Sequence, residues 1–133
     1  AGFYEYHDKG KRTGLWTGLS KIWPTKETQP DFEEIKNRLI LSQVLEAIKA
    51  LEEGVLEDIR EGDVGAILGW GFAPWSGGPF GWTDIKGLKN VVEICNKLSL
   101  KEGKRFLPPK LLTEMANKNE TFYGKYLKKD DAA

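Results

Sequence analysis

The chain has little with which to do covalent chemistry: one cysteine, one histidine and one methionine in 133 residues. A single thiol excludes an internal disulfide framework and fits a reducing compartment. His7 and Cys95 stand far apart, so no zinc site is expected. Charge of one sign is also missing. Twenty Lys and Arg balance 20 Asp and Glu, so no net field draws the chain to nucleic acid or to an anionic membrane. No apolar run approaches the roughly 20 residues that cross a bilayer, which predicts no membrane span. The opening Ala1-Gly2-Phe3-Tyr4 has no methionine and no basic-then-apolar signal pattern. Such an opening is expected of a piece of a longer chain. No segment keeps a period of two, and the fold class read from the pattern is all-α.

What is present concentrates between Gly69 and Gly87. Three of the five tryptophans (Trp70, Trp75 and Trp82) lie there among glycines and two prolines. Glycine permits unusual dihedrals, proline fixes φ, and tryptophan buries a large apolar area. The mixture predicts a rigid turn assembly where helices meet, with the three tryptophans as packing anchors. The rest of the chain reads as one domain with margins. Residues 1–30 form a connecting segment docked on the body, residues 31–127 the helical domain, and residues 128–133 a frayed tail. With 40% apolar and 30% charged residues, nothing marks disorder.

Along the chain, Phe3 to Tyr6 reads as a short extended piece and Thr17 to Trp23 as a helical turn or two closed by Pro24. Asp31 is a good N-cap, with Glu33 and Glu34 favourably placed in the first turn. The helix that follows places Ile40, Val44, Ile48, Leu51 and Val55 on one face, while Phe32, Ile35 and Leu39 fall on another. Gly54 is its expected stop. A short helix over Leu56 to Glu61 and another over Asp63 to Trp70 follow, the second with Val64, Ile67 and Leu68 inward. Pro79 suits the first position of the next helix, which Gly87 interrupts. Leu88, Val91, Val92, Cys95 and Leu98 mark an amphipathic helix to about Glu102. Pro109 opens a last helix with Leu111, Leu112, Met115 and Ala116 inward.

Candidate chemistry is thin. Gly69-x-Gly71 lacks the third glycine of a dinucleotide fingerprint, because position 74 is proline, and a helix rather than a strand precedes it. His7 sits in a solvated segment without an orienting partner. Cys95 lies on an apolar helix face and reads as a small buried hydrophobe. Lys9, Lys11 and Arg12 read as a solvated basic turn. Arg38 stands where the helix dipole does not call for a cation, so a carboxylate of a neighbouring helix or a partner domain is its expected mate. Asp84 is expected to be a structural polar pin, capping the helix that begins near Lys86 to Leu88 or anchoring a loop. A non-enzymatic binding module, with the tryptophans as a ligand platform, stays open as the alternative.

The stretch Gly69-x-Gly71-Phe72-Ala73-Pro74-x-x-Gly77-Gly78-Pro79, followed by Trp82-x-Asp84-x-x-Gly87, resembles the C-terminal domain of 3-hydroxyacyl-CoA dehydrogenases. Three flanking stretches agree: Gly2-Phe3-Tyr4-Glu5-Tyr6, the run from Arg38 to Val55, and Gly103-Lys104-Arg105-Phe106 with Pro108 and Leu111. The resemblance covers nearly the whole chain. It implies the second C-terminal repeat of a multifunctional fatty-acid β-oxidation protein, with a helical fold similar to that of 6-phosphogluconate dehydrogenases also. The parent would oxidise (S)-3-hydroxyacyl-CoA to 3-ketoacyl-CoA with NAD. The family's catalytic His–Glu pair and NAD fingerprint lie upstream and match nothing here, so no catalytic, cofactor-binding or metal-binding residue carries over. Gly69, Gly71, Phe72, Pro74, Gly77, Gly78, Pro79, Asp84 and Gly87 carry over as a structural motif. Implied partners are the nucleotide-binding domain, the first repeat, the acyl-CoA substrate through the parent, and a second copy in a homodimer when the piece is isolated. The implied location is cytoplasmic in a bacterium, with mitochondria or peroxisomes left open.

Overall fold

The chain divides after Asp31. In the computed structural model, which describes residues 2–127, the residues up to Asp31 form one unit and those from Phe32 onward a second. The tail expected over Lys128 to Ala133 lies outside the described residues.

In the first unit, β1 (Tyr4–Tyr6) and β2 (Arg12–Leu15) form an antiparallel hairpin. Tyr4 stands opposite Leu15 and Tyr6 opposite Arg12, with a register shift between Glu5 and Tyr6. Gly10, at φ +74°, turns the chain between the strands. The extended piece read at Phe3 to Tyr6 therefore has a partner strand that the sequence did not announce. Arg12-Thr13-Gly14-Leu15 has one large apolar residue and a glycine, which carry no strand signal. The Arg12 guanidinium lies 4.8 Å over the Tyr4 ring. A single helical turn, α1 (Leu19–Ile22), ends before Pro24, and the Phe3 and Trp23 rings stack at 5.9 Å.

The second unit is helical throughout: α2 (Phe32–Glu52), α3 (Ile59–Trp70), α4 (Pro79–Lys86), α5 (Leu88–Glu102), α6 (Lys110–Asn117) and α7 (Phe122–Tyr126). Short 3₁₀ turns stand at Pro74–Ser76 and Lys104–Phe106. The all-α class is therefore observed, with the hairpin of the first unit as its one departure among the described residues. The helix α4, inside the glycine-rich stretch, touches α2, α3, α5 and α7. The core lies around it and is built on Leu41, Val44, Leu45, Ile48, Phe80, Val91, Phe106, Leu112, Met115 and Phe122.

Helix ends follow the local chemistry, and two of them correct the sequence reading. Gly54, at φ +71°, closes α2 as expected, and the Val55 N–H reaches back to the Ala50 carbonyl at 2.9 Å. That reversal throws Val55 out of the core face assigned to it, leaving it 78% exposed. Helix α2 buries Leu41 and Leu45 beside the expected Val44, Ile48 and Leu51. No separate helix forms over Leu56 to Glu61: residues 56–58 are not helical, and Ile59 to Glu61 are the first turn of α3. Asp58 stays extended at φ −124° and accepts the Arg60 N–H at 2.8 Å, so α3 starts at Ile59 as one continuous helix. Its inner face is Ile59, Asp63 and Ala66, while the expected Val64 and Leu68 face solvent. The final helix is also one later than the sequence suggested. Asn119, at φ +54°, does at the end of α6 what glycine usually does and sends the chain into α7.

Candidate functional site

The glycine-rich stretch is a turn held by two carboxylates. Helix α3 ends at Gly71, φ +76°, and the chain passes through the Pro74–Ser76 turn to Gly77 and Gly78, at φ +79° and +99°. Pro79 then opens α4 without giving up a needed N–H. The peptide N–H groups of Phe80 and Gly81 point back towards α3. Asp63 meets them, its Oδ1 accepting from Phe80 at 2.7 Å and its Oδ2 from Gly81 at 3.0 Å. The Tyr123 hydroxyl donates to the same Oδ2 at 2.8 Å. One side chain of α3 thus caps α4 and ties down α7, and it is only 2% exposed. Gly78 leaves room for it, since a Cβ there would fall 2.5 Å from the Asp63 side chain.

Burial raises the Asp63 pKa above its ordinary 3.8. The Phe80 N–H, the Tyr123 hydroxyl and the Gly81 N–H pull the other way, and the Asp84 charge adds to the rise. Burial first, and then the bond to Asp63, push the Tyr123 phenol up to about 12, so it stays protonated. The carboxylate's acceptor sites are occupied by groups of the chain itself. The arrangement has the character of a structural lock, not of a base waiting for substrate.

Asp84 is the polar pin the sequence suggested, but for a different helix. Its Oδ1 accepts the Phe122 N–H at 2.7 Å and its Oδ2 the Tyr123 N–H at 2.9 Å, which caps α7. Helix α5 starts at Leu88 after Gly87, φ +84°, with no side-chain cap. Asp84 lies in the last turn of α4, where a negative charge meets the wrong end of the dipole, and the N-terminus of α7 offsets that. Asp84→Ala is expected to cost about 1–2 kcal/mol, the usual worth of such a cap. Hydrogen exchange should show it first at the amides of residues 122–126.

The tryptophans divide. Trp82 is 8% exposed and packs as an anchor, whereas Trp70 and Trp75 are 60% and 75% exposed, which corrects the reading of all three as anchors. Trp70 is nonetheless fixed, because its indole Nε1–H donates to Gln43 Oε1 on α2 at 3.0 Å. The physical reason is the short turn: Gly71 ends α3 so abruptly that Phe72, not its neighbours, enters the core.

His7 is exposed in the hairpin, beside the exposed Lys9, Lys11 and Arg12. Cys95 is fully buried on α5, and burial raises its thiol to about 11, so no thiolate is available. Arg38 has found the carboxylate of a neighbouring helix, with its guanidinium 2.9 Å from Glu102 on α5. Among the described residues no cluster of three or more His, Cys, Asp or Glu is placed to hold a metal ion. No helix there is long and apolar enough to cross a membrane. An open groove of about 390 Å³ runs along α2, lined by Ile35, Arg38, Leu39, Ser42, Arg105 and Phe106.

Asp63 is the residue that sequence reasoning missed. Its signal was position: an aspartate on the stripe Ile59–Asp63–Ala66 of a helix just before a Gly-Gly-Pro turn rich in unpaired N–H groups.

No family profile matches the chain. It is 38% identical over 122 residues to the fatty acid oxidation complex subunit alpha of Vibrio cholerae serotype O1 (El Tor Inaba N16961), which covers 92% of this chain and 17% of that subunit. The subunit of the same description from Vibrio parahaemolyticus is 38% identical over 123 residues, covering 92% of this chain and 17% of the subunit. That of Shewanella amazonensis is 38% identical over 125 residues, covering 92% of this chain and 18% of the subunit. The match falls in the C-terminal part of these proteins. The chain thus spans about a sixth of the length of the curated relatives it matches.

Proposed function

We propose that this chain is the C-terminal helical part of a fatty-acid oxidation subunit, corresponding to the second repeat of its NAD-dependent 3-hydroxyacyl-CoA dehydrogenase region. In that role it shapes and supports the acyl-CoA cleft and carries the surface on which C-terminal helical domains pair. Hydride transfer, NAD binding and proton abstraction belong to a nucleotide-binding domain elsewhere in the parent. The observation that carries this reading is 38% identity over 92% of the chain to the C-terminal part of fatty acid oxidation subunits. Among the described residues, the Asp63 carboxylate is taken up by donors of the chain itself, the Cys95 thiol is buried and protonated, and His7 is exposed in the hairpin. The bacterial relatives make the cytoplasm the proposed location.

A mixture of the chain with acetoacetyl-CoA and NADH tests the absence of chemistry. NADH absorbance is expected to stay at the rate of a protein-free control. A rate that grows in proportion to the chain contradicts the reading.

A second reading draws on one observation, the exposure of Trp70 and Trp75. It takes the chain as an interaction module whose indoles meet a partner. The two readings converge if the partner is another helical domain, and they separate if the indoles bind a small ligand. A ligand platform predicts that free sugars or aromatic compounds quench the fluorescence of Trp70 and Trp75 saturably. The pairing role predicts no such saturation.

A further inference from the structure

Helix α7 is too short to stand on its own, so it owes its form to what it touches. It packs chiefly on α3 and α4. Phe122 supplies the apolar contact, its buried ring meeting the Phe80 ring edge-on at 5.1 Å. Among the described residues, the hydrogen bonds that tie α7 to the rest of the body end on two carboxylates. Asp84 takes the Phe122 and Tyr123 N–H groups, and Asp63 takes the Tyr123 hydroxyl. Other polar contacts of the segment are internal: Thr121 Oγ1 accepts from the Gly124 N–H, and Lys125 pairs with Glu120 at 2.9 Å. Its link to α6 leaves room for a swing. Asn119, at φ +54°, is exposed, and a hollow of about 210 Å³ lies between residues 119–121 and the start of α5.

What moves α7 also reaches the glycine-rich turn. Phe80 is held from two directions, by its ring on Phe122 and by its N–H on Asp63 Oδ1. Asp63 Oδ2 is shared between the Gly81 N–H and the Tyr123 hydroxyl. Lifting α7 takes Phe122 off the Phe80 ring and removes one donor from Asp63 in the same step. The carboxylate then gains a path to water, which competes for it with the two peptide N–H groups of the turn.

We infer that α7 is a strap: it opens as one unit more easily than the domain unfolds, and its opening unlocks the turn ahead of α4 through Asp63 and Phe80. Native proteins open in cooperative units smaller than the whole, and segments with few buried contacts open first. Phe122 is the one residue of α7 that is fully buried, which puts the strap in that class. The turn consequently has two states, rigid under a closed strap and loose under an open one. Tyr123 is the residue that joins them, because its hydroxyl and the Gly81 N–H meet on one oxygen. Nothing in this depends on the role proposed above, and the test needs only the chain itself.

Native-state hydrogen exchange of the 133-residue chain in rising, sub-denaturing urea tests it. The amides of residues 122–125 and those of Phe80 and Gly81 are expected to share one opening free energy and one urea dependence. Both should lie below the values for Val91 and Cys95, buried in α5, which wait for global unfolding. Tyr123→Phe keeps the ring and removes the hydroxyl. It should speed the amides of α7 and of the turn by one common factor, at least about tenfold, the usual weight of a hydrogen bond to a charged group. Exchange of the α7 amides together with Val91 and Cys95 overturns the inference, since α7 is then no separate unit. So does exchange of Phe80 and Gly81 with the core while α7 opens earlier, and so does a Tyr123→Phe effect confined to α7.

Discussion

Gly78→Ala should be among the most damaging single substitutions in this chain, costing about 4 kcal/mol or leaving it unable to fold. Two independent effects add. Gly78 has φ +99° and ψ −179°, a region essentially closed to other residues, and forcing alanine into it costs about 1–3 kcal/mol. The new Cβ would also fall 2.5 Å from Asp63 Cβ, Cγ and Oδ1, which no rotamer of alanine relieves. Displacing that carboxylate strips the N–H groups of Phe80 and Gly81 of their acceptor, at about 1–3 kcal/mol for each buried donor left unpaired. Gly65→Ala is the matched control. It lies inside α3, and a Cβ there meets nothing within 4 Å. Alanine is a better helix former by about 0.5–1 kcal/mol, so this variant should gain stability. Urea unfolding followed by far-UV circular dichroism gives both midpoints. A Gly78→Ala midpoint equal to wild type would show that the turn is not locked in the way described.

Asp63→Ala should cost about 3–5 kcal/mol, because each buried donor left unpaired costs about 1–3 kcal/mol. It leaves the Phe80 N–H, the Gly81 N–H and the Tyr123 hydroxyl without their common acceptor. Asp63→Asn separates charge from shape, because an amide oxygen can still accept from Phe80 while the amide nitrogen faces a donor. Its cost is expected to be smaller, about 1–3 kcal/mol. The pair also carries a pH signature. Because burial raises the Asp63 pKa above 3.8, the folded chain holds this proton more tightly than the unfolded one. The stabilisation from that proton is full below pH 3.8 and is lost as the pH rises through the higher folded value. The stability of wild type relative to Asp63→Asn should therefore shrink as the pH rises across that window. A difference that grows with pH there would mean that the hydrogen bonds to the carboxylate outweigh its burial.

Much of the fold could be read in the sequence where a local rule and the tertiary contacts agree. Asp31, Glu33 and Glu34 before an apolar stripe announce α2, and Gly54 ends it; Pro79 and Gly87 bound α4. The sequence reading failed where they disagree. Helix α3 has an apolar stripe, Val64 and Leu68, on the wrong side, because its inner face was given over to Asp63 and to residues small enough for close approach. Gly62 shows the constraint: a Cβ there would fall 2.8 Å from the Phe80 ring. Hydropathy cannot register a buried carboxylate whose partners are peptide N–H groups 17 and 18 residues away. Tryptophan misled for the converse reason. Size predicts burial, yet Trp70 is held at the surface by one hydrogen bond.

The central proposal is that this chain gives shape to an active site whose reactive groups lie elsewhere in a longer parent. The direct measurement uses the Vibrio cholerae subunit, of which this chain matches a 122-residue segment. That segment is removed and then replaced by this chain, and the reduction of acetoacetyl-CoA by NADH is followed in each form. The account predicts that the deleted form loses turnover, that the form carrying this chain regains it, and that Gly78→Ala in the inserted chain abolishes the gain. Undiminished turnover in the deleted form would contradict it.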